Sequence, residues 1–197
     1  MITVGIFGCS WSWGIKTFKD NWPYELSILN RSVIIKNYSY GATSLEWSYN
    51  NFKKYKNHCD LTIFQFTKPF RLTRQLSSIE IKKQTENLYT LDSAHAHKNL
   101  HRWTASRVEQ SEGIDPYIDW LKQGDDRILN DYYTLIDKVE KKSDYCFFFY
   151  QPEEKNYKKI DCIEKECSCF DDYIVNDHFN LKGNKWLANY INQKVLL

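Results

Sequence analysis

Val4-Gly5-Ile6-Phe7-Gly8-Cys9-Ser10-Trp11-Ser12-Trp13-Gly14, near the start of the 197-residue chain, is the stretch from which the rest is read. Residues 2–7 are mostly apolar and β-branched, too few to span a membrane and of the kind that fills a central parallel strand. The run stops at Gly-Cys-Ser. Glycines at 8 and 14 permit a tight turn and close backbone approach, so Ser10 would stand where a strand ends and a helix begins, its amide at the positive end of that helix. From such a place a hydroxyl can act as nucleophile while its own N–H steadies an anion, provided a base removes its proton. The same residues also satisfy a plainer account, a strand-to-helix turn with a capping serine.

Outward from this turn the pattern repeats. Asn21-Trp22-Pro23 opens a helix over residues 21–29, residues 32–38 form a second strand, and Tyr40-Gly41-Ala42-Thr43-Ser44 breaks it before a helix over 45–55. A third strand occupies residues 60–67 and stops at Lys68-Pro69. The alternation predicts an α/β fold, a three-layer α/β/α sandwich around a flavodoxin-like parallel sheet of about five strands, with ligands at the carboxyl ends of the strands. The fourth strand is expected at 144–150 and a short fifth at 160–163, and a last helix at 181–195 turns Trp186, Leu187, Tyr190 and Ile191 inward. A helix over 115–139 is expected to break near Gly124. Residues 71–112 are polar with only a partial helical period, which predicts an irregular helical excursion overhanging the site. Its Arg71, Arg74, His95, His97, His101, Arg102 and Trp103 would give a cationic and aromatic wall, with Trp11 facing it, for an anionic or sugar-bearing substrate. Nothing resembles a repeat or a linker, so residues 1–197 are expected to form one domain.

Twenty-seven basic against 25 acidic residues leave a charge of +2, so no global field points to nucleic acid or an anionic membrane. Seven Trp, 14 Tyr and 11 Phe are more than a small core needs, and some are expected to line a groove that stacks on sugars, bases or acyl chains. The start lacks a basic leader and no apolar run approaches the ~20 residues of a membrane helix. A soluble cytoplasmic protein is expected, and hence reduced thiols at Cys9, Cys59, Cys146, Cys162, Cys167 and Cys169. Cys162, Cys167 and Cys169, like His95, His97 and His101, lack the remaining ligands of a zinc set, so no metal is expected.

The second half of the chemistry lies in Asn176-Asp177-His178-Phe179-Asn180-Leu181-Lys182-Gly183, a loop that can carry an imidazole to the carboxyl edge of the sheet. Histidine titrates in the range needed to take a proton from Ser10 and return it to a leaving group. Three blocks together, Gly8-Cys9-Ser10-Trp11, Tyr40-Gly41-Ala42 and Asp177-His178-Phe179-Asn180 with Gly183, resemble the SGNH (GDSL-like) hydrolases in order and spacing along nearly the whole chain. The Asn-, Lys-, Ile- and Tyr-rich composition and the Cys-Ser-Trp form of the first block resemble versions from phage and other low-GC genomes.

The resemblance implies a serine esterase or deacylase that needs no cofactor and works through an acyl-enzyme on a small ester such as an O-acetylated sugar. Ser10 would be the nucleophile and His178 base then acid, with the oxyanion held by the Ser10 and Gly41 amides and an asparagine side chain of a third block. That block stands here as Gln65-Phe66-Thr67-Lys68, which leaves the Thr67 hydroxyl or the Gln65 amide in the asparagine's place. Losing one such donor can cost about 10²–10³ in rate. The family's aspartate three residues before the histidine is Val175, so the orienting acid is assigned to Asp177, with Asn176 and Asp172 as alternatives. Cys9 replaces the aspartate of the first block and is expected to point away from the side Ser10 faces. An acyltransferase on the same scaffold, or a glycan- or nucleic-acid-binding protein that has lost the catalytic set, are the rival readings. Val175 and the altered third block speak for the latter.

Overall fold

The computed structural model describes residues 1–14, 21–41, 43–69, 124–150, 157, 160–175 and 178–197, and the backbone of 71–75 and 102–106. In chain order the elements are β1 (Ile2–Phe7), α1 (Ser10–Trp13), α2 (Trp22–Leu29), β2 (Val33–Asn37), α3 (Leu45–Tyr55), β3 (Leu61–Phe66), β4 (Arg71–Gln75) and β5 (Arg102–Ser106). There follow α4 (Asp125–Glu140), β6 (Tyr145–Phe148), β7 (Asp161–Cys162), α5 (Ile163–Glu166), β8 (Ile174–Val175), β9 (His178–Phe179) and α6 (Leu181–Ile191). Five strands pair in the order β2-β1-β3-β6-β7, all parallel, which is the flavodoxin-like order expected from the sequence. The order reverses between β1 and β3, so the crevice of a doubly wound sheet opens beside the end of β1.

Alternation along each strand divides the core between two layers. Val4, Ile6, Ile63 and Phe147 face Trp22 and Leu26 of α2 and Leu187 and Ile191 of α6. Their chain neighbours Phe7, Phe64 and Phe148 face Leu45 and Phe52 of α3 and Tyr132 and Ile136 of α4. Most of these side chains are fully buried, and each contributes about 1.5–3 kcal/mol on leaving water. Side-chain caps fix where helices begin: Asn21 Oδ1 accepts from Tyr24 N at 2.8 Å, Ser44 Oγ from Trp47 N at 3.3 Å and Asn180 Oδ1 from Gly183 N at 3.0 Å. At Gly124, the expected break, φ is 85° and α4 begins at the next residue; the 115–123 part of the expected helix lies outside the described residues.

Three strands, β3, β6 and β7, carry an aspartate just before or at their start that reaches sideways. Asp60 Oδ2 accepts from Thr3 N at 2.8 Å, and Asp144 Oδ2 accepts from Thr62 N and Thr62 Oγ1, both at 2.7 Å. Asp161 Oδ2 accepts from Tyr145 Oη at 2.6 Å and Tyr190 Oη at 2.9 Å, with Lys194 Nζ at 3.2 Å. Burial works to raise the Asp161 carboxyl, but these donors outweigh it and hold the group below its ordinary value. The same contact, after burial, pushes the Tyr145 and Tyr190 phenols well up.

Within the 71–112 excursion, residues 71–75 and 102–106 are strands rather than helix: β4 and β5 pair antiparallel as a ribbon, Arg71 opposite Ser106 and Arg74 opposite Trp103, while 107–112 lie outside the described residues. Five-residue polar strands whose partners lie 30 residues away leave no helical or alternating apolar period to read. The ribbon's β4 runs beside α3. Residues 76–101, with His95, His97 and His101, lie outside the described residues. Among the described residues no helix is long and apolar enough to cross a membrane.

Candidate active site

Ser10 is the first residue of the single-turn helix α1, directly beyond β1, and Cys9 before it is extended, with φ −110°. At the far end of the chain β8 and β9 form a two-stranded hairpin in which Val175 stands opposite His178. The hairpin brings His178 Nε2 to 2.8 Å from Ser10 Oγ, across 168 residues of sequence. That is within the range in which a base can take a hydroxyl's proton. Ser10 can donate to Nε2 when the neutral ring carries its own proton on Nδ1. Asp177 and Asn176, the residues expected to orient that nitrogen, lie outside the described residues. Asp172 is exposed, and its backbone carbonyl accepts from Asn180 Nδ2 at 3.1 Å. Val175, at the family's aspartate position, is 54% exposed.

Trp11, a candidate substrate contact by sequence, stacks its indole on the His178 ring, centroids 5.5 Å apart and planes 25° from parallel. Beneath it lie Phe149 at 4.0 Å and Phe179 at 5.4 Å, so the imidazole rests on a packed aromatic floor. Trp13, two residues on, lies over Gly41: a Cβ on that glycine would come within 3.1 Å of the ring. Trp13 stacks on Tyr40 at 5.0 Å, and Tyr40 meets Trp47 edge-on at 6.1 Å.

The loop bearing Gly41 is fastened to the serine turn through one oxygen. Gly8 O accepts from Tyr40 N at 3.3 Å, Thr43 Oγ1 at 3.3 Å and Ser48 Oγ at 3.2 Å. The turn itself is tied by three further side chains. Asn37 Nδ2 donates to Ser12 O at 2.7 Å, Asn21 Nδ2 to Trp13 O at 2.8 Å and Trp22 Nε1 to Ser12 Oγ at 3.1 Å. In the sequence Asn37 stands inside the second expected strand and Asn21 at the opening of the first crossover helix, with nothing to tie either to the serine turn.

The Gln65 carboxamide is engaged within the protein. The side chain is buried, its Nε2 donates to Phe66 O at 2.5 Å and its Oε1 accepts from Cys9 N at 3.0 Å. Thr67 is also buried, at the carboxyl end of β3, and its carbonyl accepts from Tyr132 Oη at 2.7 Å. Phe7 pairs with Phe64, so Ser10 and Thr67 both stand three residues beyond one rung of the sheet. Arg71 and Trp103 belong to the β4–β5 ribbon, which leaves from this edge, and their side chains lie outside what is described.

All six cysteines are free. Burial pushes the Cys146 thiol up to about 12 and raises those of Cys162 and Cys167, which keeps them protonated and poor nucleophiles at neutral pH. Among the described residues no three His, Cys, Asp or Glu side chains are arranged to hold a metal ion.

No family model and no curated protein matches the sequence. Among solved structures the chain is similar to the lipase/acylhydrolase from Enterococcus faecalis, with a TM-score of 0.47, 14% identity, and coverage of 99% of this chain and 95% of that one. It is also similar to a carbohydrate acetylesterase family member from Sinorhizobium meliloti, with a TM-score of 0.38, 12% identity, and coverage of 99% and 97%. Likeness at this level assigns neither an activity nor a residue role to this chain.

Proposed function

We propose that the protein is a serine esterase or deacylase of the SGNH type, acting through an acyl-enzyme on a small ester. The observation that carries this reading is the 2.8 Å contact between Ser10 Oγ and His178 Nε2 at the switch point of the sheet. Ser10 Oγ attacks the ester carbonyl carbon while His178 Nε2 takes its proton, and the carbonyl π pair moves onto oxygen. Collapse expels the alcohol, which leaves with the proton held by His178. Water, deprotonated by the same nitrogen, then releases the acid and restores Ser10. In this reading the oxyanion is held by the Ser10 and Gly41 amides with Thr67 in the asparagine's place, and Asp177 orients His178.

An O-acetylated carbohydrate is the proposed substrate class. Support comes from the aromatic row of Trp13, Tyr40 and Trp47 beside Gly41, since aromatic faces suit the apolar face of a sugar ring. Arg71 and Trp103 on the ribbon leaving the same edge are proposed to add to that wall. The test is release of acetate from acetylated sugars and from p-nitrophenyl acetate. The wild type should release it and Ser10→Ala should not. Release by Ser10→Ala at the wild-type rate removes the reading, and no release from any ester leaves the scaffold as a binding protein.

A further inference from the structure

The peptide unit linking Gly8 to Cys9 is held at both of its polar ends. Its carbonyl takes the three donors from the Gly41 loop and α3, and its N–H is taken by Gln65 Oε1 at 3.0 Å. The direction of the second contact is fixed by chemistry. The Trp22 indole can only donate, so Ser12 Oγ accepts from it at 3.1 Å and turns its own hydrogen to Gln65 Oε1 at 3.3 Å. The carboxamide oxygen therefore faces Cys9 and Ser12, and its nitrogen is left to donate to Phe66 O. Ser12 and Trp22 are fully buried and Gln65 is 1% exposed, so water cannot replace any of these partners. Gly8 is shaped to the same group: a Cβ there would lie 2.6 Å from Gln65 Oε1 and 3.0 Å from Gln65 Cβ.

We propose that Gln65 is a positioning residue, whose carboxamide sets the orientation of the Gly8–Cys9 peptide and so presents Ser10 Oγ to His178 Nε2. The proposal rests on the reading of Ser10 and His178 as the reacting pair. It gives a residue first weighed as an oxyanion donor a different task, one that its hydrogen-bond directions require. The alternative is that Gln65 only fills space beneath the turn.

The two are separated by the rate at which a fluorophosphonate labels Ser10, measured over a range of pH alongside thermal melting. Gln65→Met keeps the length but leaves the Cys9 N–H and the Ser12 hydroxyl without an acceptor. Labelling should slow by about tenfold to a hundredfold, the scale on which small misplacements act. Gln65→Glu is the discriminating variant. Protonated, its carboxyl reproduces the carboxamide, one oxygen accepting from Cys9 and an O–H donating to Phe66 O. Ionised, it has nothing to donate and faces that carbonyl with a charge. Burial raises a carboxyl's pKa toward neutrality, so the ratio of the Gln65→Glu rate to the wild-type rate should climb toward one as pH falls, while the Gln65→Met ratio stays flat. Where Gln65→Met does not fold, the Gln65→Glu ratio decides, taken inside the pH range in which circular dichroism shows it folded. A Gln65→Met rate within twofold of wild type, or a Gln65→Glu ratio that does not move with pH, overturns the proposal. A wild-type protein that takes no label removes the Ser10 reading, and the positioning role with it.

Discussion

At the amino ends of β3 and β6, Asp60 and Asp144 each bond to the next strand over, whereas beyond the carboxyl end of β1 hydroxyl, amide and imidazole groups join Ser10 to His178 and Cys9 to Gln65. Both amino-end bonds are charge-assisted and go to the neighbouring strand's backbone N–H. They fix how strands align. The carboxyl-end bonds join remote pieces, Ser10 to His178 and Cys9 to Gln65, and fix where one hydroxyl points. Stability and positioning are thus assigned to opposite ends of the sheet, and substitutions at the two ends should have separable effects.

The largest effect is expected at the carboxyl end. His178→Gln should slow labelling of Ser10 by about 10²–10⁴, the usual worth of a positioned base, while the melting temperature changes little. Equal loss of folding and of rate would erase the distinction between the two ends. Next comes Asp144→Ala at the amino end. It strips the 2.7 Å partners from Thr62 N and Thr62 Oγ1, and hydrogen bonds to charged groups suggest a cost of about 2–3 kcal/mol. Denaturant unfolding should show that loss while the labelling rate of the folded protein stays unchanged.

A smaller effect with a definite sign belongs to Asp161. Its native pKa is held below the ordinary carboxylate value despite burial. Its contribution to stability is therefore complete above about pH 4 and is lost as pH falls through the depressed native value. Asp161→Asn should flatten the difference in unfolding free energy between pH 6 and pH 2; an unchanged difference would place the acid sensitivity elsewhere. Smallest is the ribbon. Arg71→Ala and Trp103→Ala should lower kcat/KM for an acetylated sugar more than for p-nitrophenyl acetate, and equal effects on both esters would remove the ribbon from the substrate wall.

The strands and their parallel order were legible because they rest on local signals, apolar runs stopped by glycine, whereas Ser10 and His178, 168 residues apart, were joined only through the resemblance of three sequence blocks taken together. The β4–β5 ribbon was not legible, since Arg71 finds Ser106 only through the fold and neither segment has an apolar period. Gln65 misled for a related reason. Its position on β3 suggested a donor facing substrate, but the Gly8 gap that receives its carboxamide belongs to another strand. The aspartates before β3 and β6 and at the start of β7 were visible as letters. Only the register shows that they are latches to the neighbouring strand.

The central claim is that Ser10 and His178 react as a pair, and intact-mass measurement after exposure to a fluorophosphonate tests it most directly. The wild type should gain one adduct, mapped to the peptide carrying Ser10, with Ser10→Ala gaining none and His178→Gln gaining it slowly. A wild type without adduct, or Ser10→Ala labelled as fast as the wild type, would contradict the account.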